Sequence, residues 1–119
     1  MAEKVIFPSA ARTATPTPVV VNTNRVKGVQ VVIDVTAIAA TPSVVFTLEV
    51  VDSLSGKFVP ILTSAAIVGT GTTILTIGPG VTAVANVSSG QVIPENLRVN
   101  AVHGDADSIT YSVSMHVIK

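Results

Sequence analysis

The feature that most constrains this chain is a hydrophobic alternation of period two that returns several times, with turn residues between its appearances. Val29, Val31, Ile33 and Val35 alternate with Gln30, Val32, Asp34 and Thr36. Val44, Phe46, Leu48 and Val50 alternate with Val45, Thr47, Glu49 and Val51. Near the end, Ile109, Tyr111, Val113, Met115 and Val117 face one way, and Thr110, Ser112, Ser114 and His116 the other. A strand sends successive side chains to opposite faces, so each run offers one face to a core and the other to water or a partner. No segment shows a helical period with caps. Val, Ile and Thr dominate, and their stiff branched side chains suit a pleated sheet.

The punctuation fits the same scheme. Thr41-Pro42-Ser43 ends one strand and opens the next, and Gly78-Pro79-Gly80 is a hard stop. Asp52-Ser53-Leu54-Ser55-Gly56-Lys57 reads as a hairpin loop with glycine free to take a positive φ. His103-Gly104-Asp105-Ala106-Asp107-Ser108 reads as a second hairpin. Strands are expected at 18–23, 27–37, 43–52, 57–63, 72–78, 97–103 and 109–118. The fold class that follows is all-β, an antiparallel two-sheet β-sandwich of Ig-like or jelly-roll type with an extended N-terminal arm. The same pattern serves either strand order.

Two segments stand outside the alternation. Residues 1–18 carry Pro8, Pro16 and Pro18 among small residues, and proline cannot donate to a sheet ladder. This stretch reads as an extended arm, able to drape over a neighbouring subunit or to lie as a loose terminus. The sandwich domain is then 19–119. Residues 80–96 read as a long loop with room for a short strand inside, and loops of that length are often interaction elements.

The 119 residues suffice for a single core. Absence of cysteine removes disulfides, thiolate metal sites and cysteine nucleophiles. Seven basic residues balance seven acidic ones, without the basic excess that phosphate neutralisation demands, so nucleic acid is not an expected partner. Charged residues make up 12% of the chain, against roughly 25% in an average soluble domain. Between Lys57 and Glu95 there is no charged side chain. So bare a surface is expected to be covered by neighbouring subunits, the alternative being a monomer solvated by Thr and Ser. The uncharged window is broken by Gly69, Gly71, Gly78, Pro79 and Gly80, so no membrane span is expected. Met1 to Phe7 lacks the long apolar region of a signal peptide.

The residues able to carry chemistry are few. In a hairpin of 97–103 with 109–117, His103 and His116 would lie about 23 Å apart, too far to share a metal. Asp105 and Asp107 form a D-x-D pair without the other ligands of a calcium loop, and turn capping by their own side chains is the simpler account. There is no G-x-S-x-G elbow, and Gly69-Thr70-Gly71 precedes a strand-like run instead of a phosphate-binding helix. Asp34 and Glu49, on adjacent expected strands, fall on the outward polar register and read as solvated or interface charges rather than a glycosidase pair. Phe7, Phe46, Phe58 and Tyr111 are the whole aromatic complement, too few for a stacking platform; Phe46 and Tyr111 fall on core registers.

Several phrases resemble a family of small tailed-bacteriophage virion structural proteins. They are Ser9-Ala10-Ala11-Arg12-Thr13-Ala14-Thr15, the run from Asp52 to Thr63, Gly78-Pro79-Gly80-Val81, and Leu97-Arg98-Val99 followed by His103 to Val113. The H-G-D-A-D-S-I-T-Y-S-V run is the most specific. The resemblance implies a capsid decoration or cement protein, made in the host cytoplasm and carried on the virion. Its implied partners are the major capsid protein and further copies of itself, as a trimer, with no nucleic acid and no membrane. A tail, neck or baseplate component is the alternative within that class, and a receptor- or glycan-binding module lies outside it. No catalytic residue, cofactor or metal is implied, and Met115 and His116 match no role in the family.

Overall fold

The expected alternation is realised in a computed structural model that describes residues 3–119. Its strands are β1 (Glu3–Arg12), β2 (Val19–Asn22), β3 (Gly28–Ile38), β4 (Val44–Asp52), β5 (Lys57–Thr63), β6 (Gly71–Ile77), β7 (Ser88–Ser89), β8 (Asn96–His103) and β9 (Ile109–Ile118). All seven expected strands are present, with boundaries within a residue of the expectation. They form two sheets, ordered β1-β9-β3-β6-β7 and β2-β8-β4-β5.

The pairing is nested. β4 pairs with β5, β3 with β6, β2 with β8 and β1 with β9, all antiparallel. Pairs β3–β9 and β4–β8 then knit these hairpins into sheets. A long hairpin rolled up in this way is a jelly roll, which decides between the two sandwich types. β7, inside the long 78–95 connection, adds a short parallel strand beside β6.

The core lies between the sheets. Val29, Val31, Ile33 and Leu75 from the first sheet meet Phe46, Leu48, Leu97 and Val99 from the second, all fully buried. Each such side chain contributes about 1.5–3 kcal/mol of transfer free energy. Tyr111 and Phe46 are the bulkiest of the core and meet edge to face at 5.2 Å, a favoured aromatic geometry. The β4–β5 loop turns as expected: Gly56 takes φ 75° and Asp52 accepts from the Leu54 amide at 3.1 Å.

Three expectations change. First, β8 and β9 are not a hairpin: they belong to opposite sheets, and residues 104–108 cross between them. Both strands carry a complete apolar inner face, and those faces oppose each other across the core. The crossing is lashed to the β3–β4 connection by Gly104 N to Ser43 O at 2.8 Å and Ala39 N to Ser108 O at 2.9 Å.

Second, within the segment read as an arm, Glu3–Arg12 runs along its own chain's β9 as an edge strand; residues 1 and 2 lie outside the described residues. Pro8 is accommodated there because the register slips twice, between Val5 and Phe7 and between Phe7 and Ala10. The slip turns two consecutive residues inward, Ile6 and Phe7, each 4% exposed.

Third, Asp34 and Glu49 lie on different sheets. Glu49 is buried and not solvated, because Arg98 beside it takes its carboxylate at 2.5 Å.

Candidate interaction surfaces

With the inner faces committed to the core, the outer faces and the rims remain for function. Cross-strand register fixes what stands in line on each outer face. On the first sheet, Val5, Ser114, Val32 and Ile74 occupy one row across β1, β9, β3 and β6. Val5 and Ile74 are exposed. The neighbouring row is Glu3, His116, Gln30 and Thr76, in which His116 Nδ1 lies 3.3 Å from a Glu3 carboxylate oxygen. Asp34, at 3.3 Å from the Thr72 hydroxyl, is the remaining ionisable side chain on this face among the described residues.

The second sheet's outer face carries Val20, Arg98, Glu49 and Pro60 in one row and Asn100, Thr47 and Thr63 in the next. Arg98 binds Glu49 and lays its guanidinium over the Phe58 ring, 3.4 Å from the centroid. The face's one cation and one anion therefore neutralise each other. Close by, Asn100 Oδ1 is the one buried side-chain polar atom without a hydrogen-bond partner among the described residues. An acceptor left in that state costs free energy until a donor reaches it.

At the rim where β1 ends, a polar cluster closes the core. His103 and Tyr111, one from each sheet, approach with Nε2 3.0 Å from the phenolic oxygen. Burial, aided by the Arg12 charge, holds the His103 imidazole below its usual pKa, and Asp105 opposes this in part. Burial pushes the Tyr111 hydroxyl up to about 12. Arg12 stacks on the Tyr111 ring at 4.6 Å and donates to the carbonyls of Tyr111 at 2.7 Å, Pro8 at 2.6 Å and Ala10 at 3.2 Å. Pro8 lies outside the β1–β9 register, so at its carbonyl the guanidinium stands in for a missing ladder partner. The His103 amide donates to Thr15 Oγ1 at 3.0 Å, tying down the segment after β1.

The candidates for chemistry are dispersed. His103 lies at one end of the sandwich and His116 near the other, on separate sheets. Among the described residues no group of three His, Asp or Glu side chains is placed to hold a metal. Asp105 accepts from the Asp107 amide at 3.1 Å, and Asp107 accepts from the Thr41 amide and hydroxyl at 3.2 and 3.3 Å. The Asp107 carboxylate thus ties the crossing to the β3–β4 connection instead of capping its own turn, while that of Asp105 caps its own turn, as expected. Asp52 does the same, and its bond from the Ser55 hydroxyl at 2.7 Å, followed by that from the Leu54 amide, holds its pKa below the usual carboxylate value.

A cleft of about 160 Å³ opens at the other end, between the edges of β1 and β2. Val21, Val26, Met115 and Val117 line its apolar part; Lys4, Asn22, Asn24 and Lys119 are its polar lining. No helix long and apolar enough to cross a membrane is present among the described residues.

The register rows and the Arg98–Phe58 stack escaped sequence reasoning because both depend on which strands are neighbours. No family model, no curated protein and no solved structure matches this chain.

Proposed function

We propose that this chain is a structural protein of a tailed-bacteriophage particle, a decoration protein that oligomerises on the capsid and stabilises the head shell without performing chemistry. One observation carries the assembly part of this reading: among the described residues, neither outer sheet face has a free cation, and the few ionisable groups on them are paired or hydrogen-bonded. Charge depletion at the centre of a contact surface is characteristic of protein–protein interfaces. Exposed Val5, Ile74, Val20 and Phe58 supply apolar area on those faces. The H-G-D-A-D-S-I-T-Y-S-V run supplies the particle part, by resemblance. A jelly roll is compatible with that role and does not establish it, since one fold hosts many functions.

The test is a binding experiment with expanded capsids that lack decoration, paired with tracing of this chain in a reconstruction of the intact particle. Saturable binding and density on the outer shell are expected. Density at the neck or tail would move the role to assembly of that organelle. A protein that stays monomeric, ignores capsids and is absent from the particle would end the proposal.

A further inference from the structure

We propose that β1 is an exchangeable strand, which leaves its own β9 and pairs with β9 of a second copy of this chain. The inference rests on the assembly reading above and supplies its device.

Four observations carry it. β1 is an edge strand whose ladder is made with β9 alone. Its hold on the core is small, since only Ile6 and Phe7 are buried along its ten residues. Its ladder is broken twice, leaving Ile6, Pro8 and Ser9 outside the register. Finally, the connection to β2 must reverse direction and cross to the other sheet within residues 13–18, a Thr-Ala-Thr-Pro-Thr-Pro sequence. Prolines fix φ and bias the residues before them, Thr15 and Thr17, to extended backbone. A stiff, extended segment is poorly suited to a tight return and well suited to a bridge. Hinges of this kind favour exchange between identical subunits, because the exchanged contacts are the same ones made in trans.

The chemistry of the strand survives the move, and the bond from the His103 amide to Thr15 Oγ1, which ties the hinge in the closed chain, passes to the neighbour's His103. Arg12 carries its bonds to Pro8 and Ala10 within β1, and its stack on Tyr111 and bond to the Tyr111 carbonyl re-form on the neighbour. Six residues reach roughly 20 Å when extended, so the receiving β9 must lie within about that distance of the donor's β2. That limit suits a tight ring around the β1–β2 edge.

Because the chain has no cysteine, one pair of thiols reports the pairing without background. Val5 and Ser114 stand opposite each other on the outer face, in the range where a disulfide closes. The double variant Val5→Cys/Ser114→Cys is oxidised at the concentration where the unmodified chain is associated, then run unfolded and unreduced. Exchange predicts that most of the protein is covalently linked in species of two or more chains. It also predicts that replacing Pro16 and Pro18 by Gly, which frees the hinge to turn back, shifts the majority to single chains. A single-chain band from protein that is associated before oxidation would overturn exchange and leave self-assembly standing. A single-chain band from protein that is monomeric throughout would overturn both.

Discussion

The Nε2 of His103 lies 3.0 Å from the hydroxyl of Tyr111, joining the two sheets at the end where β1 leaves the fold. Tyr111 belongs to the inward alternation of β9 and His103 ends that of β8, and their meeting gives the rim of the core a titratable seam.

Acidification should weaken the fold through His103. Its folded pKa lies below the ordinary 6.5, so below that value the unfolded chain takes up the proton first. The contribution of the neutral imidazole is therefore complete above about pH 6.5 and declines as pH falls toward the folded value. Denaturant midpoints at pH 7.5 and pH 5 should differ less in His103→Asn than in the parent chain. An equal difference in both would assign the acid sensitivity elsewhere.

The alkaline limb belongs to Tyr111. Unfolded, its phenol ionises near 10; folded, it is pushed up to about 12. Stability should hold below pH 10 and be lost as pH rises from there to about 12. Tyr111 is the only tyrosine and there is no tryptophan, so the tyrosinate absorbance band reports this one site. Titration near pH 10 with the fold intact, followed by circular dichroism, would refute the assignment.

Removing Arg98 should cost more than removing the whole pair. Arg98→Ala leaves Glu49 buried without its cation and unstacks Phe58, a loss of about 2 kcal/mol in urea unfolding. Arg98→Met with Glu49→Leu deletes both charges and keeps the volume, and it should lose less than the single variant. A double variant that loses the sum of two single losses would show the groups to be uncoupled.

Gly78 is fixed by space. A Cβ there would stand 2.9 Å from the Lys27 carbonyl oxygen and 3.3 Å from the Gly28 Cα, where β6 ends against β3. Gly78→Ala should destabilise by about 1–3 kcal/mol. Gly69→Ala, with nothing within 4 Å of the added methyl, should change stability by less than about 0.5 kcal/mol. Equal effects at both positions would show that the Gly78 contact relaxes freely.

The strands legible in the sequence are those in which one residue in two faces the core. In β3, β4 and β9 the inward register of Val29–Val35, Val44–Leu48 and Ile109–Met115 is unbroken, and the alternation states it directly. β1 was illegible as a strand for the opposite reason: Ile6 and Phe7 point inward together, and Pro8 follows. The turn at Gly104–Ser108 is legible, but Gly and Asp serve a tight return and a crossing between sheets equally well. Glu49 shows the limit of reading a polar register as wet. Its face is outward, yet Arg98 and the row around it exclude water. The His103–Tyr111 contact needed the strand order, which no local pattern contains.

The nested pairing also sets a timetable. Glu3 stands opposite His116, more than a hundred residues later in the chain. On the ribosome β1 emerges more than a hundred residues ahead of its partner β9, while β4 and β5 can close as neighbours at once. β1 therefore waits through the synthesis of the strands between them with its edge unpaired. When β9 finally appears on several chains in the same place, nothing in the order of events reserves it for the strand made on the same ribosome.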